Sequence, residues 1–386
     1  MATASSSRRS GLGSTIFMGP KCRQTPQHIQ GSCRMKTKRV LVLHGYSSAN
    51  RGDGLLVDES LRFIRQACGD NVEIELVTSY PESFRYTGLR TFRSKPAVTG
   101  YSRSYLRLLA TRFREYDLVV GVGGGYLRFG TLGETLKTIL VMGPQLLGAA
   151  FSGARTVYLP QSIGPARYGV RGMLKALLER MDQVWVRDDR SLDQFSGKHV
   201  QRAPDLALLA LKRSTVDFDK SALPVISVRE HRGGVPPAVT LLAKRFGVFD
   251  GYVQSVVAGN DDSEAVRSLN PTNILSFEEL MERPRSARVV VAVRLHAALM
   301  AINAGHYVIH LAYERKGFGA FQDLGLEDYV VNVHDFSVDD VEQKVRMLLA
   351  SPETRRDYVL RVEQAQLQLQ HGRARVLASL SSEAFE

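Results

Sequence analysis

The chain has 386 residues, 44% of them hydrophobic and 23% charged, with a net charge of +12 from 51 Lys and Arg against 39 Asp and Glu. That length allows about two globular domains. No apolar run reaches the roughly 20 residues needed to span a bilayer; the longest approach, residues 138–151, is interrupted by Pro144 and Gln145.

In chain order, the first 39 residues carry eight cations, from Arg8 to Arg39, and no acid, which leaves only +4 for all the rest. Residues 1–37 are rich in Ser, Thr, Gly, Pro and Gln and read as a disordered basic tail that cannot build a core. The tail lacks the continuous apolar stretch of a secretory signal. It reads either as a solvated leader, with Met35-Lys36 an alternative natural start, or as a weak electrostatic attachment to an anionic membrane surface. Because the charge sits in the tail and not on a folded face, no nucleic-acid partner is expected. Cys22, Cys33 and Cys68 lack metal-ligand or disulfide spacing and fit a reducing compartment. The expected location is the cytoplasm, with at most peripheral contact at the inner face of the membrane.

From residue 38 onward, continuous Val/Ile/Leu runs alternate with helical patterns. Residues 39–44, 72–77, 117–122, 156–160 and 183–186 read as buried strands; 54–68, 133–147 and 171–181 read as helices. The pattern restarts at Pro224 with strand-like runs at 224–230, 249–257, 287–293, 307–313 and 329–333, and it closes in helices at 338–349 and 353–380. Strands of this kind separated by helices form parallel sheets covered on both faces. The expected fold is therefore α/β, with two doubly wound domains, 38–215 and 222–386, facing across a cleft. Ligands of such sheets bind beyond the carboxyl ends of the strands.

Several strand ends carry chemistry. After the first, Gly52 and Gly54 bracket Asp53, with Asn50 just before; this turn offers backbone N–H groups, and Asp53 suits either a helix cap or catalysis. Gly123, Gly124 and Gly125 let backbone approach a ligand closely or make a tight turn. Gln161 ends the next strand at the same sheet edge. Arg187-Asp188 reads as a structural ion pair. In the second half, Arg229 follows the opening strand. Arg294 and His296 stand two apart at the end of an apolar strand, where a helix N-terminus favours an anion. Arginine pairs with phosphate or carboxylate in a fork, and histidine moves protons near neutral pH. Lys316 is either a further cation of the site or a solvated loop charge. No cluster of metal-ligand spacing is present, and no metal or cofactor is expected.

The order of these motifs resembles the polysaccharide pyruvyl transferase family. The resemblance rests on Asn50-Arg51-Gly52-Asp53, Gly123-Gly124-Gly125, Gln161-Ser162-Ile163-Gly164-Pro165, Arg187-Asp188-Asp189-Arg190-Ser191, Pro204-Asp205, Arg294-Leu295-His296 and Tyr313-Glu314-Arg315-Lys316. It implies two Rossmann-like domains in a GT-B-like arrangement. It also implies phosphoenolpyruvate as donor substrate and a glycan acceptor, free or lipid-linked, on which a ketal forms with release of phosphate. On this reading the donor is held by Arg229, Arg294, Leu295, His296 and Lys316. His296 and Arg294 carry the chemistry, with Asp53 as base. Asn50, Asp53, Gly123, Gly124, Gly125 and Gln161 line the acceptor side or the cleft. The competing readings are a nucleotide-sugar glycosyltransferase and a non-catalytic glycan- or anion-binding protein of the same fold.

Overall fold

A computed structural model describes residues 37–69, 71–231 and 233–381; the expectations for the basic tail, apart from Thr37, lie outside the described residues. The first half runs β1 (Lys38–Gly45), α1 (Arg51–Cys68), β2 (Val72–Thr78), β3 (Arg90–Arg93), α2 (Arg103–Ala110), β4 (Leu118–Gly121), β5 (Gly124–Phe129), α3 (Leu132–Val141), α4 (Gly143–Ala150), β6 (Arg155–Ala166), α5 (Val170–Leu178), β7 (Gln183–Val186), α6 (Asp189–Phe195), β8 (Val200–Arg202) and α7 (Leu206–Leu209). The second runs β9 (Val225–Ser227), α8 (Pro237–Phe246), β10 (Asp250–Tyr252), β11 (Val256–Val257), β12 (Asn260–Asp261), α9 (Ser263–Arg267), β13 (Ile274–Leu275), β14 (Val289–Ala292), α10 (Leu295–Asn303), β15 (Tyr307–Ala312), α11 (Arg315–Asp323), β16 (Val330–Asn332), α12 (Val338–Ala350) and α13 (Pro352–Leu380).

Both large sheets are parallel. The first has the order β3-β2-β1-β4-β6-β7-β8, with β5 joined to β6; the second has β13-β10-β9-β14-β15-β16. β11 and β12 form a separate antiparallel hairpin. In each sheet the order reverses once, between β1 and β4 and between β9 and β14. Adjacent loops leave such a reversal in opposite directions and open a crevice at the strands' carboxyl ends. The apolar runs are explained by burial on both faces: every residue of β4, β14 and β15 is buried.

Local chemistry moves three expected boundaries. α1 begins at Arg51, earlier than the expected 54, because the Asn50 side chain caps it by accepting from Gly52 N. The single helix expected over 133–147 is two, since Pro144 cannot sit inside a helix and instead opens α4. The strand-like run 249–257 is split between β10 and β11.

The last helix spans both halves. With 29 residues α13 extends about 44 Å, longer than one sheet's footing. Its far end packs on the first half, where Trp185 Nε1 donates to Ser379 Oγ at 3.0 Å and Gln366 Nε2 donates to the Leu211 carbonyl at 3.2 Å. One hydrophobic core consequently runs from Val40 and Leu118 through Ile64 of α1 and Val376 of α13 to Val225, Val290 and Ile309. A second core, including Leu41, Val119, Leu146 and Tyr158, fills the opposite face of the first sheet.

Candidate active site

The two crevices open into one cavity of about 910 Å³. Its wall includes His44 and the Gly123–Gly125 turn from the first sheet, Arg229 and Arg294 from the second, and Asn50 and Asp53 from the start of α1. Seven Lys and Arg line it against two carboxylates, Asp53 and Glu134. Such a wall selects an anionic ligand.

The partners of those cations decide which are available. Arg294 is buried and already engaged: its Nε and Nη2 donate to the two carboxylate oxygens of Asp262 at 2.5 Å each, and Nη2 also donates to Asn260 Oδ1 at 3.0 Å. The fork that the sequence assigns to a phosphate or carboxylate thus grips a protein carboxylate, and only the Nη1 edge has no hydrogen-bond partner among the described residues. Burial pushes the Asp262 carboxyl up, opposed by Arg294 and then Arg229, so both arginines act on one spot. Arg229 is partly exposed; its Nη1 donates to Tyr313 Oη at 3.1 Å and its Nε to the Glu230 carbonyl. Lys316 pairs with Glu314 at 2.7 Å, and Glu314 also accepts from Arg128 of β5 at 2.8 and 3.0 Å. This triad ties the two halves together across the cavity. Although burial favours its neutral form, Lys316 and Arg128 hold the Glu314 carboxyl down to about 2. Neither α10 nor α11 has a side-chain cap, so their leading N–H groups are open to an anion beside Leu295 and Lys316.

His296 does not point with Arg294. Its ring lies against α1, where a Cβ on Gly52 would sit 2.6 Å from Nδ1; this contact is the reason for glycine in the Asn-x-Gly-Asp turn. On the other side, Nε2 is 3.9 Å from Asp205 Oδ2 and has no hydrogen-bond partner. Asp205 is buried and is held by Arg187 Nη1, whose Nε donates to Ser162 Oγ at 3.0 Å. Burial alone would raise the Asp205 carboxyl; Arg187 and His296 outweigh it and hold the group well below the usual range. Arg187 therefore pairs with Asp205 and not, as expected, with Asp188. Asp188 instead caps α6 by accepting from Ser191 N at 2.9 Å.

Asp53 is likewise not the helix cap. It sits in the first turn of α1, accepts from Asn50 Nδ2 at 2.7 Å and reaches the cavity. Burial pushes its carboxyl up, opposed by His296, Lys316 and Arg294. The glycine turn lines the cavity, and close neighbours demand it: a Cβ on Gly123 would meet the Pro160 carbonyl at 2.9 Å, and Gly124 has φ +141°. Gln161 does not line the cavity. It is buried, paired in register with Gly124, with both amide atoms lacking hydrogen-bond partners.

Several wall residues gave no signal in the sequence. His44 holds a left-handed backbone, φ 68°, which costs a non-glycine residue about 1–3 kcal/mol. Gln145 Oε1 accepts from its N–H, Tyr158 Oη contacts its Nε2 at 2.8 Å, and Tyr126 stacks on its ring. Burial lowers its pKa to about 3, so the ring is neutral. His44, Tyr126 and Gln254 line the cavity, and His44 Nδ1, Tyr126 Oη and both amide atoms of Gln254 are buried without hydrogen bonds. Buried polar atoms rarely stay unpaired. At the far end Tyr46 and Tyr80 meet edge to face at 5.4 Å, with Lys95 Nζ donating to Tyr80 Oη and Lys137 over the Tyr46 ring. Asp205 was visible only as half of a Pro-Asp pair; Asp262, Glu314 and Arg128 needed the folded chain to meet their partners. Among the described residues no group of three or more His, Cys, Asp and Glu is arranged to hold a metal ion.

The profile of the polysaccharide pyruvyl transferase family matches residues 50–315, and a search of the curated proteins found no match. Among solved structures, the chain is similar to a putative UDP-N-acetylglucosamine 2-epimerase from Listeria monocytogenes (TM-score 0.57, 10% identity, 89% of this chain and 95% of that one). It is also similar to Anabaena HepE in complex with UDP and glucose (TM-score 0.53, 12% identity, 89% and 100%). A third is the UDP-GlcNAc 2-epimerase from Neisseria meningitidis bound to UDP-GlcNAc (TM-score 0.54, 11% identity, 89% and 99%). At these identities the likeness is one of fold: two Rossmann-like units of the GT-B kind.

Proposed function

The chain belongs to the polysaccharide pyruvyl transferase family, and on that premise we propose that it moves the pyruvyl group of phosphoenolpyruvate onto two hydroxyls of a glycan as a ketal. The observation that carries this reading is the cation-rich cavity wall, combined with two uncapped helix starts on the side of Arg229 and Lys316. A donor with a phosphate and a carboxylate matches that end. Arg229, the Nη1 edge of Arg294, Lys316 and the N–H groups at Leu295 and His296 are its binding groups; the end around Asn50, Asp53 and the glycine turn takes the acceptor.

The reaction needs a proton on the donor methylene, one acceptor oxygen on the central carbon, loss of phosphate, and closure by a second oxygen. The acceptor diol releases two protons; one ends on the methyl group and one on the phosphate. His296, which lines the cavity, is the proton carrier. Asp205, anchored by Arg187, lies 3.9 Å from the ring. Asp53, its carboxyl raised by burial, is suited to take the acceptor proton.

The test is incubation of the full chain with phosphoenolpyruvate and a glycan panel, following orthophosphate and product mass. A parallel panel of nucleotide sugars addresses the glycosyltransferase reading, since neighbours of this fold were solved with UDP. Phosphate release coupled to the mass gain of a ketal is expected. Glycosyl transfer, or binding with no phosphate release, would overturn the proposal. His296→Ala is expected to cut turnover by about 10²–10⁴ while calorimetric binding of the donor persists. Activity within about threefold of wild type would remove His296 from the chemistry.

A further inference from the structure

We propose that the face built by α2, α3, α4 and α5 docks on an anionic membrane surface and holds the acceptor end of the cavity against it. The docking is independent of the pyruvyl-transfer reading; only the delivery of a lipid-linked acceptor to that end rests on it.

The first observation is a helix whose polarity is inverted. In α3 the buried positions include Thr135 and Thr138, each of whose hydroxyls must bond a carbonyl, of Thr131 and of Arg128. The outward stripe is Leu132, Leu136, Ile139 and Leu140, at the i, i+4, i+7, i+8 spacing of one helix face. Leu147 of α4 and Phe151 extend it, and all six are between 44 and 69% exposed. These residues fall within or beside the apolar run 138–151. That run is too short to cross a bilayer, and among the described residues no helix is long and apolar enough to do so. An apolar helix face ringed by Lys and Arg instead suits burial in the interface plane.

The second observation is charge. From the start of α2 to the end of α5, residues 103–178 hold ten Lys or Arg against three Asp or Glu, a net +7. Beyond residue 39 the whole chain nets only +4, so the rest of the body is net negative. The cations sit beside the apolar residues: Arg180 lies over the Phe151 ring at 4.3 Å, and exposed Lys137 follows Leu136. This charge selects the occupant. The four helices themselves carry Arg103, Arg107, Lys137, Arg171 and Lys175 against Glu134, so a second copy of the face would set like charge against like charge, and the chain's own first 36 residues carry cations and no acid. An anionic lipid surface supplies both the opposite charge and an apolar layer for the leucines.

The third is continuity with the site. Leu136, Lys137 and Leu140 line the cavity as well as the face, and Lys137 lies over the Tyr46 ring at 5.8 Å. A glycan carried on a lipid phosphate would thus meet apolar residues, a cation and an aromatic ring in that order.

The experiment is co-sedimentation of the full chain with vesicles of phosphatidylcholine, with and without phosphatidylglycerol. Wild type is expected to bind the phosphatidylglycerol vesicles, less so as salt rises. The variant L132E/I139E/L147E, none of whose positions lines the cavity, is expected to lose binding by about tenfold or more. A tail variant, R8S/R9S/R23S, is expected to keep binding within about threefold, because the proposal puts the attachment on the helical face and not on the tail. Thermal melts check that the glutamate variant is folded; if it is not, L132S/I139S is measured in its place and is expected to shift the same way. The proposal is overturned if wild type does not sediment with the vesicles, if the face variants bind as wild type does, or if the tail variant alone abolishes binding. It is also overturned if the face variants only convert a dimer to a monomer. Vesicle binding without phosphate release from phosphoenolpyruvate would leave the docking standing and remove the pyruvyl-transfer reading.

Discussion

Arg294 and Arg229 show how two arginines at equivalent strand ends take different tasks. Arg294 satisfies Asp262, a buried carboxylate with no other charged hydrogen-bond partner among the described residues. Removing one member of a buried pair leaves the other charge uncompensated, at a cost of about 3–5 kcal/mol. Arg294→Ala is therefore expected to lower the melting temperature sharply, and not chiefly to weaken donor binding as the strand-end position suggests. Arg229, whose hydrogen bonds go to a hydroxyl and a carbonyl, is expected to do the reverse: Arg229→Ala weakens calorimetric binding of phosphoenolpyruvate and leaves the melting temperature near wild type. Equal melting temperatures for the two variants would contradict this division.

At the scale of an element, the start of α1 does three things with four residues. Asn50 caps the helix, Gly52 makes room for the His296 ring, and Asp53 faces the cavity. The turn is pinned to the second half by the Arg51 N–H donating to the Gln254 carbonyl at 3.3 Å and by the bridge between Asn50 and Ser255. Alanine at Gly52 is favourable to the helix by about 1 kcal/mol, yet its Cβ would displace the imidazole. Gly52→Ala is expected to lower kcat by roughly 10²-fold and, because the added Cβ also meets His296 Cβ at 2.8 Å, to lower the melting temperature. Wild-type kcat in that variant would show that the ring position does not matter.

Across the whole molecule, three buried histidines tie stability to pH. Burial holds His44 near 3 and both His306 and His310 near 4, against 6.5 in the unfolded chain. Below pH 6.5 the unfolded state binds protons that the folded state refuses, so stability is fully present above that value and is lost as pH falls towards 4 and 3. Glu314, held near 2 by Lys316 and Arg128 against its burial, adds to the loss only below its unfolded value near 4.5. A melting-temperature series should fall steadily from pH 6.5 to 4. His310→Gln should flatten the slope by up to one proton's worth, about 1.4 kcal/mol per pH unit. A flat series over that range would mean that the histidines titrate alike in both states.

The sequence by itself determined the alternation of strands and helices, the parallel sheets, and the strand ends that carry Asp53, Gly123–Gly125, Arg229, Arg294, His296 and Lys316, all of which line the cavity. These are legible because periodicity and burial act over a few residues, and because a parallel sheet sends its loops to one edge. The partners of those groups were decided only by the tertiary structure. Arg294 meets Asp262 across 32 residues, and Arg128 meets Glu314 across 186; Gln161 is buried beside Gly124 and not on the wall. A side chain's charge is written in the chain, but whether that charge is free for a ligand depends on distances of a few ångströms between segments far apart in sequence.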